Sequence, residues 1–458
     1  MPRDPDPREP SSRDAVPLRE ATRAWFRISL QTFGGPAGQI AVMQRELVEE
    51  RGWIGQRRFL HALSFCTLLP GPEAQQLAIY TGWLLNGIRG GLIAGVLFVL
   101  PGVAALLALS ALYVGYGETT AVVSLLGGLA PAVVAIVAQA VVRIGRRSLG
   151  DRTAIGLAVA AFGVLTVTTV PFPLVIGVAA GIGWAVGRRR PAAPTTVEPD
   201  DARTPLIPDD ALHHDRPSRG RTLRVLGVGL LAWAVPLGLV IALTGRSSVF
   251  AEQGLFFSGT ALVTFGGAYA VLAFVAQRAV EVYGWLAPGE MVRGLALAES
   301  TPGPLIMVVQ FVAFVGAYRD PGSLDPWVAA VLGALLTTWV TFVPCFVLVF
   351  LGAPWMERLR GNRSLAAALG GVTAAVVGVI AHLGLYFATH TLFADVERRS
   401  SGPFGLEVPD PSSVRWVAVA LTVVAAWLLL RREWSPLRVL GLCAGLGLVA
   451  GLAGLPVG

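Results

Sequence analysis

Apolar runs of 17 to 26 residues recur along this 458-residue chain, and they constrain its fold more than any other feature. About 20 apolar residues in a helix cross the roughly 30 Å of bilayer hydrocarbon. The runs lie at 92–114, 120–142, 154–170, 171–187, 223–244, 327–352, 365–389, 415–431 and 435–457. With 54% apolar and 14% charged residues and a mean hydropathy of +0.64, the composition argues against a soluble protein. The chain reads as an all-α polytopic membrane protein. Its 54 glycines suit helices that approach closely in lipid.

A formal charge of +7 raises the question of nucleic acid, but the basic residues, all arginine, gather in the tails and loops between apolar runs. That is how topology signals are distributed, and no aromatic-interleaved basic patch accompanies them. No nucleic-acid partner is expected. Cys66, Cys345 and Cys443 are far apart in apolar stretches, so they read as buried small hydrophobes. No metal site or cofactor is indicated. Residues 1–22 are polar and rich in Pro and Arg, without the apolar core of a cleavable signal, and read as a disordered cytoplasmic tail. Residues 188–222 are rich in Pro, Asp and Arg and read as a cytoplasmic linker, with His213 and His214 solvated in it.

The linker separates two related halves, 23–187 and 245–458, with 223–244 as a linking transmembrane helix. Thr32-Phe33-Gly34-Gly35 returns as Thr264-Phe265-Gly266-Gly267, an offset of 232. At that offset Gly52-Trp53 meets Gly284-Trp285, Pro70-Gly71-Pro72 meets Pro302-Gly303-Pro304, and nine of the 22 positions from 32 to 53 are identical. Farther on the offset becomes 243, where Pro101 meets Pro344 and Leu126-Gly127-Gly128 meets Leu369-Gly370-Gly371. Such duplications are common among secondary transporters. Arg143, Arg146, Arg147, Arg152 and Arg188–Arg190 place their loops inside, and Arg358, Arg360, Arg363, Arg431 and Arg432 follow if each run crosses once. The single run 223–244 then inverts the second half. Residues 24–43 and 59–86 carry glycine and proline breaks, and the arginine pattern is consistent if each enters and leaves by one face as a broken or re-entrant helix.

Glycine and proline at mid-membrane leave backbone groups unpaired unless they face protein or an aqueous cavity. Pro72 suits the first turn of a helix, so the N–H groups of Glu73, Ala74 and Gln75 form a positive helix start that attracts an anion. Leu305, Ile306 and Met307 repeat the arrangement after Pro304. With the two Phe-Gly-Gly motifs, four helix starts can cage a dianion. The candidate substrate-binding set is Gly34, Gly35, Pro36, Gln39, Pro70, Gly71, Pro72, Glu73, Gln76, Gly266, Gly267, Glu299, Thr301, Pro302, Gly303, Pro304 and Gln310. Glu73 and Glu299 either couple anion movement to protons or serve as structural carboxyls holding the breaks. The glutamines either donate to oxyanion oxygens or bridge helices. Arg45 and Arg278 either steer anions at a vestibule or snorkel to headgroups. Trp53 and Trp285 read as interfacial anchors.

At Phe33–Met43, Leu68–Trp83, Thr264–Val275 and Glu299–Phe314 the sequence resembles the chromate ion transporter family in its long two-domain form. One departure is Ala268, where the first motif has Pro36. The resemblance implies secondary active transport of chromate out of the cytoplasm across the inner membrane, driven by the membrane potential or proton gradient and conferring chromate resistance, with competition by sulfate. A sulfate or other anion transporter of the same fold is the alternative. A membrane enzyme is disfavoured, because the sequence has no metal-ligand cluster, GxSxG or nucleotide loop. The topology predicts that tags in 143–153 and 354–364 are accessible from the same face; opposite faces would contradict it.

Overall fold

The computed structural model describes residues 16–33, 35–67, 69–168, 170–188, 206, 219–264, 268–355, 363–401 and 404–455. Gly34, Gly266, Gly267, both linker histidines and most of the tail and linker lie outside them. Two boundaries move. Val16 is buried and α1 (Leu18–Ser29) begins inside the expected tail, while α8 (Arg219–Thr244) takes in the last residues of the expected linker.

The first half continues with α2 (Gly35–Gln44), α3 (Gln56–Cys66), α4 (Glu73–Tyr116), α5 (Thr120–Ser148), α6 (Arg152–Val167) and α7 (Phe172–Gly187). After α8, the second half repeats the order as α9 (Val249–Val263), α10 (Ala268–Gln277), α11 (Glu290–Ser300), α12 (Val308–Arg319), α13 (Pro326–Gly352), α14 (Arg363–Leu392), α15 (Trp416–Leu430) and α16 (Pro436–Leu452). Both α2 and α10 run on into a π-helical turn, Arg45–Glu50 and Arg278–Val282. Both turns are followed by a glycine at positive φ, Gly52 (61°) and Gly284 (65°), a conformation open to glycine without steric cost.

α4 contains a reversal. Asn86 (φ −141°) and Gly87 (φ 60°, ψ −152°) leave helical geometry, and a Cβ on Gly82 would meet Gly90 O and Ala94 Cβ at 2.6 Å. The limb 73–86 is therefore the returning half of a re-entrant hairpin with α3. The limb 88–116 crosses to the opposite face, where Tyr113 donates to Glu290 Oε1 at 2.6 Å. From that face α11 descends to Pro302-Gly303-Pro304 and α12 returns, bringing Arg319 Nη1 within 2.7 Å of Glu290 Oε2. The two re-entrant hairpins thus open on opposite faces, which makes the repeats inverted. A Cβ on Gly102 would lie 2.6 Å from Pro302 O. Since Gly102 is about 21 Å along the helix from each end of the limb 88–116, the second break sits at mid-depth.

The halves are intertwined. α5 of the first packs along α16 of the second, and α14 of the second along α7 of the first. In both pairs glycines remove the side chains between backbones: a Cβ on Gly128 would lie 2.2 Å from Cys443 O, and one on Gly371 2.3 Å from Ala179 O. Lipid tails are as apolar as leucine, so close packing of small residues holds such pairs together. α8 has no buried residue and lies on the outer surface, where Trp339 Nε1 donates to Ala232 O at 2.8 Å.

Three expectations need correction. Arginines 143, 146 and 147 are helical residues of α5 rather than loop residues. Trp53 and Trp285 are buried, not interfacial; Trp285 stacks on Tyr283 (centroids 4.3 Å apart), and its carbonyl accepts from Arg319 at 3.2 Å. The polar stretch after α14 forms an antiparallel hairpin, β1 (Val396–Ser401) and β2 (Phe404–Pro409), which sequence reading missed. Replacing Gly371 by valine is expected to destabilise the helix pair by about 1–3 kcal/mol through overpacking; a lowered thermal midpoint in detergent checks it, and an unchanged midpoint contradicts it.

Candidate functional site

The duplicated motifs meet each other across the halves. The Gly71 amide donates to Thr264 O at 2.7 Å, and the Gly303 amide donates to Thr32 O at 3.1 Å. Each Pro-Gly-Pro break is therefore paired with the Phe-Gly-Gly break of the other repeat. Gly71 (φ 123°) and Gly303 (φ 103°) occupy backbone conformations that side chains rarely adopt. A Cβ on Gly71 would come within 2.8 Å of Cys345 Sγ and 2.7 Å of Gln76 Nε2.

The glutamines complete this frame. Gln39 donates to Gly303 O at 2.6 Å, Gln76 to Pro70 O at 2.6 Å, and Gln310 to Val103 O at 3.0 Å. Their amides satisfy carbonyls at or near the helix breaks, which favours the bridging reading over direct anion donors. Thr301 likewise bonds within its own turn, to Ala298 O at 2.9 Å. Gln139 and His382 also make interhelical contacts, to Leu429 O (3.1 Å) and Thr166 Oγ1 (3.2 Å).

A cavity of about 310 Å³ reaches the helix starts beside these motifs. Gly35 and Pro36 at the start of α2, Glu73 at the start of α4, and Ala268 and Tyr269 at the start of α10 line it, together with Thr67, Gln139, Arg143 and Arg147. A Cβ on Gly35 would lie 3.7 Å from the Tyr269 hydroxyl, so the starts of α2 and α10 adjoin. First-turn amides at helix starts have no intrahelical acceptor. At this size the cavity holds roughly ten water-sized volumes, enough for an oxyanion with part of its hydration shell.

Glu299 stands behind the cavity wall. It is 2% exposed, and Oε1 accepts a hydrogen bond from the Tyr269 hydroxyl. Oε2 has no partner among the described residues, and Arg143 lies within electrostatic reach of the pair. The second proline break contributes less than expected: after Pro304 the chain makes a 3-10 turn, Leu305–Met307, whose side chains are packed in the core. Three helix starts meet at the cavity, not four.

Arg45 and Arg278 do not line the cavity. Arg45 pairs with Glu50 at 3.4 Å and donates to Gln31, while Arg278 lies over the Phe274 ring. Arg143, Arg147 and Tyr269 were absent from the expected set. The spacing of Gln139, Arg143 and Arg147 by four residues, which puts them on one helix face, was the available signal.

A family model described as chromate transporter matches residues 19–184 and 251–448, both repeats. The chain belongs to the chromate transporter family. It is 33% identical over 367 residues to a chromate transport protein of Pseudomonas aeruginosa, covering 78% of this chain and 77% of that one. A chromate transport protein of Cupriavidus metallidurans is 27% identical over 434 residues (94% and 93% of the two chains). A probable chromate transport protein of Synechococcus elongatus is 25% identical over 423 residues (89% and 95%). No solved structure matches the chain.

Because both glycines sit at positive φ against the opposite half, the double substitution Gly71→Leu with Gly303→Leu is expected to abolish chromate transport. A double variant that folds, judged by a monodisperse detergent profile, and still transports would contradict the crossed-motif site.

Proposed function

We propose that this protein is a secondary transporter that exports chromate from the cytoplasm across the inner membrane. The observation that carries the reading is the cavity where α2, α4 and α10 begin: helix starts from both repeats converge there beside Arg143, Arg147 and Glu73, within the segments that the family model matches. Helix starts of this kind stabilise anions through free amides and the helix dipole. The site binds a tetrahedral oxyanion, and the glycine and proline breaks bring bare backbone to it.

In this reading Glu73, in the cavity wall, and Glu299, bonded to Tyr269, exchange protons as the anion moves. A carboxylate beside an anion repels it when charged and tolerates it when neutral, which links anion occupancy to protonation. The cavity lies toward the Ser148 end of α5, the end that the arginine pattern assigns to the cytoplasm. Glu290, Arg319 and Tyr113 tie α11, α12 and α4 together at the opposite face. Loading from the cytoplasm and opening of that tie for release are the two halves of export. Sulfate, also a tetrahedral dianion, is expected to compete at the same site.

Everted vesicles from cells expressing the protein are expected to accumulate labelled chromate above an empty-vector control, with sulfate inhibiting. Imposing proton and anion gradients independently is expected to show that an inward-acid gradient changes the rate in wild type and not in Glu73→Gln. No accumulation above control would overturn the export reading, and an identical gradient response in both proteins would overturn the role of Glu73.

A further inference from the structure

We propose that Arg143 and Arg147 form the capture pair of a single, one-sided binding site for divalent tetrahedral oxyanions; this deepens the transport reading above and rests on it. The two arginines stand four residues apart on α5, so their Cβ atoms are about 5–6 Å apart on one helix face, and both line the cavity at the helix starts. Neither forms a salt bridge among the described residues. Like charges at this spacing repel each other. Glu73 is the one carboxylate in the cavity lining among the described residues, and Glu299 is committed to Tyr269 behind it. The lining thus sets two guanidinium groups and three helix starts against a single carboxylate, so the cavity holds an excess of positive potential. With Glu73 protonated, as the transport reading has it when the anion is bound, a dianion balances both arginines, whereas a monoanion leaves one uncompensated. The fixed planar donors of arginine also match the oxygens of a tetrahedral oxyanion in pairs.

The duplication shows that this site is not repeated. At the 243 offset, Gln139, Arg143 and Arg147 correspond to His382, Tyr386 and His390. His382 and Tyr386 line a separate cavity of about 310 Å³, beside Glu281 and Glu407, and His390 turns toward Glu407 at 3.8 Å. At the 232 offset, Glu73 corresponds to Leu305 and Tyr269 to Ala37. Permanent positive charge from α5 of one repeat therefore lines the cavity, and at the matching positions of the other repeat an aromatic hydroxyl and two imidazoles stand beside carboxylates. An anion meets the fixed pair from the face where α5 ends, and the matching positions on the opposite face hold no arginine; Arg293 and Arg415, in a cavity beside His390, share its lining with Asp395, Glu397 and Asp410.

The test uses purified full-length protein in detergent and equilibrium dialysis with labelled chromate and labelled sulfate, alongside chromate uptake by everted vesicles. Arg143→Gln with Arg147→Gln is expected to weaken binding of both dianions about tenfold or more, and to raise the KM of uptake while leaving the rate at saturation close to wild type. Arg146→Gln, on the same helix but outside the cavity lining, is expected to bind and transport like wild type. Arg143→Lys with Arg147→Lys, which keeps the charge, is expected to recover most of the affinity and its weakening by salt. Wild-type affinity in the glutamine double variant would overturn the capture pair and leave the transport reading standing. Equal loss in the glutamine and lysine double variants would overturn the charge-based role. If wild type binds both dianions through the arginines but vesicles fail to transport, the pair stands and the transport reading falls. Absence of any dianion binding by wild type would overturn both.

Discussion

Everything at the centre of this molecule depends on pairing backbone groups where helices break inside a medium without water. An unpaired amide or carbonyl in hydrocarbon costs several kcal/mol, so a mid-membrane Pro-Gly-Pro survives only with a partner. Here the partner is the other half of the molecule: Gly71 donates to Thr264 O, and Gly303 to Thr32 O. Gln39 and Gln76 close further carbonyls at the same breaks. The motifs thus form one interlocked frame, and removing either half would strand the backbone of the other.

That frame accounts for the packing farther out. With the halves joined at their breaks, α5 meets α16 and α14 meets α7, and glycines at these contacts let the backbones come together. The frame is symmetric, but the side chains set into it are not. Glu73, Arg143, Arg147, Tyr269 and Glu299 have Leu305, Tyr386, His390, Ala37 and Thr67 at the matching positions. Two copies of a scaffold therefore build one cavity, with α2 and α4 from the first repeat and α10 from the second. Divergence of the two copies thus changes the side chains at the cavity without disturbing the shared backbone pairing.

Much of this was legible in the sequence. The crossing helices follow from apolar length, and the observed bounds of α5, α8, α13 and α14 contain the expected runs, because nothing but helix satisfies such a run in lipid. The re-entrant hairpins follow from paired glycine and proline breaks read together with arginine placement. The crossing of the motifs did not follow, since Gly71 and Thr264 are joined by a contact between halves that no local pattern encodes. Arg143 and Arg147 were read as topology markers because an arginine at the end of an apolar run looks the same whether it faces headgroups or a cavity. The start after Pro304 was expected to be open, yet its 3-10 turn and the packing of Leu305–Met307 close it. The β1–β2 hairpin is short and flanked by polar residues, and its alternation is too brief to stand out between long helices.

The most direct test of the central claim is to locate the anion itself. Chromium scatters anomalously, so crystals of the full-length protein soaked in chromate report its position without assumption about the surrounding side chains. The account predicts a single chromium peak in the cavity bounded by Gly35, Glu73, Tyr269, Arg143 and Arg147, within hydrogen-bonding distance of at least one of the two arginines. A peak confined instead to a second cavity of about 850 Å³, lined by Arg293 and Arg415 and by Val396 and Val408 of the β1–β2 hairpin, with the cavity at the helix starts empty, would contradict it.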